Sequence, residues 1–584
     1  MLRTSLSRPA LRLSKMASQL TSNGASSFTA NGGFTYAANT SATLHTLRDL
    51  PKSNVFTSSL PADARFPTPQ DSHNAPREQL GPRLVRDALY TFVRPEHVLN
   101  PELLGVSERA LRDLNIDPEY TKEEEFKNIL AGNEIISWDE KNPSEGVYPW
   151  AQCYGGYQFG QWAGQLGDGR AISLFETTNN KGVRYEVQLK GAGKTPYSRF
   201  ADGKAVLRSS IREFVVSEHL NALGIPTTRA LSLVLAPRSR VQRETMEPGA
   251  IVCRFAQSWL RIGTFDLLRS RGDRKLIRQL ATFVAEKVFP GWESLPAKLP
   301  PVDIASAGIE VERGIKAEGI QGEGKEAENR FTRLYREIVR RNAKTVAMWQ
   351  AYGFMNGVLN TDNTSIFGLS MDYGPFAFLD VFDPNYTPNH DDHMLRYSYR
   401  NQPTIIWWNL VRLGEAFGEL IGAGKDVDNE DFIKSGVKKE FADELIERAE
   451  HLITQAGEEY KAVFMAEYKR LMGARLGLQS HKETDFDKLY SELLDTMEAH
   501  ELDFNHAFRR LSSFKLSELE TEDGRKEVAG RFFSEYGRHG NKKEARARIA
   551  KWLDLWRQRV VEDWGEGKDA DREAAMKKVN PKVR

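Results

Sequence analysis

Lys190 closes an alternating apolar run, Arg184 to Lys190, and Glu213 lies in the next segment with helical spacing, Val206 to Leu223. A lysine carried by a strand and steadied by a carboxylate on the following helix can aim an ammonium at phosphate oxygens, because the carboxylate restricts a flexible cation. Alone, the pair reads equally as an exposed ion pair of little consequence. Further along, Asn360-Thr361-Asp362-Asn363 is followed by Asp372-Tyr373-Gly374. Asp and Asn oxygens suit Mg2+, and a second Asp in a turn before Gly lets two ligands converge on one ion among phosphates. Arg170, after Gly167-Asp168-Gly169, together with Arg208, Arg212, Arg254 and Arg261, could give a triphosphate bidentate contacts. Each of these arginines taken singly reads as a surface ion-pair partner.

The order of Lys, Glu, an Asp/Asn loop and an Asp-aromatic-Gly turn is that of the protein-kinase plan. The spacing is not: Asn363 directly follows Asp362 instead of coming five residues later, and no His-Arg-Asp triplet precedes it. On these residues alone, a kinase-like nucleotide site and a set of Asp/Asn-rich turns both remain open. Three lookalikes carry less. Gly193-Lys194-Thr195 resembles the end of a P-loop, but the glycine that motif needs upstream falls on Gln188, inside a strand. His390-Asp391-Asp392-His393 holds potential metal ligands but reads better as a solvated turn beside Pro384 and Pro388. Cys153 and Cys253 are the only cysteines, too few for a disulfide framework, which points to a reducing compartment.

Several elements must position these residues. Ala171 to Glu176 and Arg184 to Lys190 read as a hairpin joined by Asn179-Asn180-Lys181-Gly182. Val206 to Leu223 reads as a helix, with Leu207, Ile211, Phe214, Val215 and Ala222 at helical spacing and a stop at Gly224 and Pro226. The glycine-rich tract Tyr154 to Arg170 reads as loops. Thr228 to Leu235 and Ala250 to Phe255 are strand-like; then helices dominate, at 274–288, 328–352, 405–422 and 442–472. A short strand pair, Ser365 to Leu369 with Ala377 to Leu379, is expected between them, and Trp552, Trp556 and Trp564 should share a packed face.

The chain has 584 residues, 81 Lys+Arg against 80 Asp+Glu, and 40% apolar residues. That is a folded chain of about three or four domain-sized units, and its net charge of +1 argues against a general nucleic-acid binder. No apolar run approaches the ~18 residues of a membrane span. The balance hides an asymmetry: residues 1–48 contain five basic residues and no acidic one, so the remainder carries −4. Leu2, Leu6, Leu11 and Leu13 lie among those basic residues in a Ser/Thr/Ala-rich setting, as in a mitochondrial transit peptide. The expected organisation is a leader at 1–48, a strand-rich unit at 49–260, a helical unit at 261–484 with an exposed insertion at 292–327, and a helical C-terminal region at 485–584.

Longer runs then narrow the reading. Tyr154 to Gly160 (YGGYQFG), Gln165 to Arg170 (QLGDGR), Gln188 to Gly193 (QLKGAG) with Thr195 to Arg199 (TPYSR), and Val206 to Glu213 (VLRSSIRE) are similar to the selenoprotein O family. Asn360 to Asn363 (NTDN), Asp372 to Phe376 (DYGPF) and Asn401 to Pro403 (NQP) extend the match, which covers roughly residues 85–580. The resemblance implies an α+β, protein-kinase-like two-lobed fold, with a strand-rich N-lobe, a helical C-lobe and additional C-terminal helices. It also implies ATP bound in an inverted orientation and AMP, rather than phosphate, transferred to Ser, Thr or Tyr hydroxyls of proteins. By motif position, Lys190 contacts phosphates and is held by Glu213. Gly167, Gly169, Arg170, Asp202, Gly203, Arg254 and Arg261 surround the nucleotide, Asp362 is the general base, and Asn363 with Asp372 binds Mg2+, or Mn2+ in its place. The chemistry agrees: a hydroxyl attacks the α-phosphorus, a carboxylate accepts its proton, and positive charge stabilises departing pyrophosphate. Phosphoryl transfer and a catalytically silent nucleotide-binding scaffold are the alternatives. Two departures stand out: Asn356-Gly357-Val358 where the family has a His before Gly-Val, and no cysteine after Cys253 for a C-terminal sulfur or selenium redox switch.

Overall fold

The computed structural model describes residues 43–299, 310–534 and 541–582, so most of the expected leader and part of the expected insertion lie outside the described residues. Strands dominate as far as Ala256 and helices after it, which makes the chain α+β. Ten strands build one antiparallel sheet: β1 (Lys52–Ser53), β2 (Tyr90–Phe92), β3 (Glu102–Val106), β4 (Trp150–Gln158), β5 (Gln161–Gly167), β6 (Ala171–Thr178), β7 (Arg184–Lys190), β8 (Ala205–Val206), β9 (Arg229–Gln242) and β10 (Met246–Ala256). The order is β2-β4-β6-β7-β10-β9-β3, with β5 on β4, β8 on β10 and β1 on β6. The expected hairpin is present: β6 pairs with β7, and Lys190 lies between Ala171 of β6 and Val252 of β10. Alternation sends Val187 and Leu189 into the main core, so Glu186, Gln188 and Lys190 share the other face.

The loop reading of Tyr154 to Arg170 is corrected. β4 and β5 form a hairpin across this tract, with Cys153 opposite Gly167 and Gln158 opposite Gln161. Glycine permits tight turns but does not demand them, and here cross-strand pairing holds the backbone extended. What the missing side chains allow is close approach, as at Gly155, where an added Cβ would stand 2.5 Å from the Trp162 ring.

Seven helices matter to the site and its support: α1 (Leu207–Ala222), α2 (Ile262–Arg271), α3 (Arg274–Phe283), α4 (Arg330–Tyr352), α5 (Gln402–Gly422), α6 (Ala442–Arg475) and α7 (Lys542–Trp564). The expected α1 forms, but Ile211 and Val215 face solvent, 43% and 57% exposed. The buried stripe is instead Ser210, Glu213, Val216, Ser217 and Leu220, because this face brings Glu213 to the charged face of the sheet. α4 starts where the Asn329 side chain accepts the Phe331 and Thr332 amides, and it stops at Gly353, whose φ of +67° is the left-handed cap glycine favours. The chain then runs through β11 (Phe354–Met355), a 3-10 turn at Thr361–Asn363 and β12 (Ala377–Phe378). The expected partner of β12 is corrected: β11 pairs with it, whereas Ser365 only bridges Arg261. Ser365 to Leu369 lacks a free strand edge beside it, and Asn342 and Thr345 of α4 satisfy the Ser365 and Gly368 carbonyls. Within the expected exposed insertion, Leu295 is fully buried and Arg333 of α4 donates to the Lys316 and Gly319 carbonyls, so the described part is anchored. Trp552 and Trp556 are buried and stacked at 6.3 Å, and Trp564 donates to the Gly477 carbonyl, which bears out their shared packing role.

Candidate functional site

The polar face of β7, the inner face of α1 and the turns after α4 converge on one carboxylate, Asp372. Lys190 Nζ lies 2.7 Å from Glu213 Oε2 and 3.2 Å from Asp372 Oδ1. Arg254 on β10 reaches Glu213 Oε1 at 3.0 Å and Asp372 Oδ1 at 2.8 Å, and Arg261 pairs with Asp372 Oδ2. Arg261 also lies 3.6 Å from Asp168 and donates to the Asp362 carbonyl at 2.7 Å. Three cations thus meet three carboxylates in a setting where Arg254 and Arg261 are 2% and 1% exposed. Trp259 stacks on the Arg254 guanidinium at 4.1 Å and Tyr154 on that of Arg261 at 4.5 Å, and flat guanidinium groups suit such stacking.

Burial alone would raise the Asp372 carboxyl, but Arg261, Lys190 and Arg254 more than offset it and hold the group well below the usual carboxylate range. Glu213 is lowered in the same way, with Lys190 and Arg254 overcoming burial. For Lys190 the balance goes the other way: burial lowers its pKa, and Glu213 and Asp372 oppose that shift. Asp372 also has φ of +53°, uncommon for a residue with a side chain, which turns its carboxylate inward.

Asp362 sits beside this cluster under the β4–β5 hairpin. Gln158 donates to its Oδ2 at 3.2 Å, while its Oδ1 is buried without a hydrogen-bond partner. Burial pushes the carboxyl up to about 6, against the lowering effect of Gln158 and Arg261. The approach depends on Gly156, where a Cβ would stand 2.5 Å from Asp362 Oδ1. The Tyr157 amide donates to Thr361 Oγ1 at 2.8 Å and the Phe159 amide to Tyr397 at 2.8 Å, which ties the hairpin tip to the turn. Asn363 donates to the Val358 carbonyl at 3.1 Å, leaving its side-chain oxygen as the donor atom relevant to a cation.

Lys190, Glu213, Arg254, Arg261, Asp362 and Asp372 are therefore brought together as expected. Gly167, Gly169 and Arg170 lie at the end of the same sheet against Tyr197 and Ser198, and the Arg170 carbonyl accepts the Gly191 amide at 2.7 Å. Asp202 pairs with Arg243 at 2.9 Å rather than with the cluster, and Gly203 packs on Gly193. Arg208 pairs with Glu247, and Arg212 donates to the Phe376 carbonyl, so neither touches the cluster. Asp168 was overlooked as a site residue. It accepts from Gln188 and from the Gln152 amide, both at 3.2 Å, and Gln188 in turn accepts from Arg254 at 2.8 Å. The signal was the period-two row Glu186, Gln188, Lys190 on β7. The P-loop lookalike is spent on structure, since Thr195 is buried and donates to the Asp168 carbonyl. Asp392 accepts the Arg396 and Tyr397 amides, a turn as expected, and among the described residues no cluster of three or more His, Cys, Asp or Glu suits a metal.

Residues 80–584 match the protein family described as Protein adenylyltransferase SelO. The mitochondrial protein adenylyltransferase SelO of Schizosaccharomyces pombe is 44% identical over 545 residues, 92% of this chain and 88% of that protein. Its Saccharomyces cerevisiae counterpart of the same name is 39% identical over 469 residues, 74% of this chain and 66% of that protein. The protein nucleotidyltransferase YdiU of Burkholderia lata is 37% identical over 497 residues, 85% of this chain and 82% of that protein.

Proposed function

The chain belongs to the SelO family of protein adenylyltransferases, and from that premise we propose that the Asp372 cluster transfers AMP from ATP to protein Ser, Thr or Tyr hydroxyls. The observation that carries this reading is the sharing of one ionised carboxylate by Lys190, Arg254 and Arg261, with the partnerless oxygen of Asp362 alongside. A purely structural ion pair does not need three cations on one acid.

In this scheme Lys190, steadied by Glu213, and Arg254 and Arg261 bind the phosphates, and Gly167, Gly169, Arg170, Asp202 and Gly203 border the nucleotide. Asp362 accepts the proton of the attacking hydroxyl as the new oxygen–phosphorus bond forms at the α-phosphorus. The bond from that phosphorus to the bridging oxygen breaks, and the arginines stabilise pyrophosphate as it leaves. Asn363 and Asp372 offer only hard oxygen donors, a set that fits Mg2+ or Mn2+, and the depressed pKa keeps Asp372 ionised for that task. When bound there, such an ion supplies charge neutralisation and orientation of phosphate oxygens. The strand-borne Lys190, helix-borne Glu213 and following helical region support a two-lobed, protein-kinase-like division, with the boundaries 49–260, 261–484 and 485–584 as its units.

Two parallel incubations, with ATP labelled at the α or the γ phosphate, test the reaction. Label from the α position alone on acceptor protein, with an added mass of AMP, is expected; γ label alone would make the protein a kinase, and neither would make it a scaffold. The protein is mitochondrial: two yeast relatives carry that word in their names, and the acid-free basic leader agrees. Among the described residues no helix is long and apolar enough to cross a membrane.

A further inference from the structure

In-line displacement at the α-phosphorus puts the attacking hydroxyl on the side away from the leaving pyrophosphate. With Lys190, Arg254 and Arg261 on the pyrophosphate side, the acceptor protein comes to Asp362 past the tip of the β4–β5 hairpin. That tip turns at Phe159 and Gly160, with φ of +49° and +81°, and it is pinned to the catalytic turn: the Phe159 amide donates to Tyr397, whose hydroxyl donates to Asn360 Oδ1 at 2.6 Å. Phe159 and, on the loop that carries Tyr397, Met394 and Leu395 are large and apolar yet exposed, Met394 by 88%. One cation lies among them. The Arg396 guanidinium is stacked 4.9 Å over the Trp408 ring of α5 and packs against the hairpin turn, where a Cβ on Gly160 would stand 3.3 Å from its central carbon.

Among the described residues no carboxylate pairs with Arg396, and its Nε is buried without a hydrogen-bond partner. Asp392, the nearest acid in sequence, is spent on the Arg396 and Tyr397 amides. Arg412 shares the Trp408 ring at 5.0 Å but is paired with Glu415. A guanidinium held flat by a ring and left without an acid presents its fork to a carboxylate from outside. We infer that Arg396 is a specificity residue for the acceptor: it pairs with an Asp or Glu of the protein substrate within about three residues of the modified hydroxyl, beside a large apolar side chain that packs on Phe159, Met394 and Leu395. The span follows from the hairpin, where Gln158 reaches Asp362 and Gly160, two residues on, reaches Arg396, a step of roughly 7 Å, or two to three residues of an extended acceptor. The unpaired charge at the mouth of the site commits this surface to an acidic acceptor segment rather than to a second copy of the chain. The inference rests on AMP transfer at Asp362.

The test incubates the whole chain with α-labelled ATP and the proteins of a mitochondrial extract, maps the AMP-carrying residues by mass spectrometry, and takes ATP affinity from calorimetry. Sites modified by the parent should carry Asp or Glu within three residues about twofold or more above the unmodified hydroxyls of the same proteins. Arg396→Glu should cut total transfer about tenfold, replace the acidic preference by a basic one and leave ATP affinity unchanged. Arg396→Lys should keep the preference at a lower rate, because the charge stays and the fork is lost. Met394→Ser, at a position too exposed to unsettle the fold, should lower transfer about threefold at sites with a large apolar neighbour. If Arg396→Glu does not fold, Arg396→Gln carries the same comparison, with the preference abolished. Parental sites no more acidic than other hydroxyls, a site set unchanged by the Arg396 variants, or a loss confined to ATP affinity would overturn the inference alone. So would a Met394→Ser variant that changes only the oligomeric state in sedimentation, which gives the surface to a second copy. An Asp362→Ala variant that transfers AMP at the parental rate overturns the reading of the site and this inference with it.

Discussion

Two buried charge networks in this chain use the same residue types for different ends. In one, Arg336 of α4 pairs with Glu328 and, at 2.6 Å, with Glu459 of α6, and Arg340 adds a contact to Glu459 at 3.4 Å. In the other, Asp372 is shared by Lys190, Arg254 and Arg261. The side chains of Glu328 and Glu459 are 1% and 4% exposed, whereas that of Asp372 is 20% exposed and its backbone is held at positive φ. The helix network is closed to solvent, although Glu328 Oε2 is left without a hydrogen-bond partner, whereas in the Asp372 cluster three cations converge on one carboxylate that is partly open to solvent. Convergence of cations on one partly open carboxylate, not burial of charge as such, separates the two networks.

The sharpest way to break that distinction is to remove one member from each network. Lys190→Ala and Asp372→Ala should each reduce AMP transfer by about 10² or more, measured with α-labelled ATP, since charge aimed at the transition state is lost. Near-parental rates in either purified variant would move the chemistry elsewhere. A smaller loss, about tenfold to a hundredfold, is expected for Gly156→Ala, whose methyl would collide with the Asp362 carboxylate while the cations stay in place. Glu459→Ala should do the reverse: it leaves Arg336 short of a buried partner, costs about 3–5 kcal/mol in denaturant unfolding, and leaves the rate per folded molecule unchanged. A loss of rate without loss of stability there would erase the contrast between the two networks.

The sequence displayed the charges of the site better than the geometry that unites them. Lys190 and Glu213 were legible because a strand lysine and a helix carboxylate follow one another closely, and Asp362, Asn363 and Asp372 because they stand in turns with Asn and Gly. The hairpin at 150–167 was not, since glycine's local permissiveness says nothing about cross-strand pairing, which is set by residues far along the chain. Asp168 was also silent: it works through Gln188, a neighbour on another element that no spacing rule connects. The exposed Ile211 and Val215 show the same limit from the other side, since helical periodicity alone pointed them inward, yet the burial of Glu213 turned the helix.

Glu186, four residues before Lys190 on the same face of β7, sharpens the comparison most finely because it is buried and, among the described residues, no cation pairs with its carboxylate. Burial, aided by the nearby Glu176, pushes its carboxyl up to about 8, while Ser173 and Gln152 hydrogen bonds oppose the shift. The sign follows from linkage: with an unfolded value near ~4.3, the stabilisation from holding this proton is complete below that pH and is lost as pH rises through about 8. Glu186→Gln keeps the shape, stays neutral and brings a donor toward Gln152 Oε1, which now has no partner. Its melting temperature should therefore match the parent near pH 4, gain progressively from there to pH 8, and hold a constant advantage of a few degrees above it. A pH-independent offset between the two melting curves would mean that Glu186 is already ionised in the fold, and that a buried acid beside the site needs no cation to carry its charge.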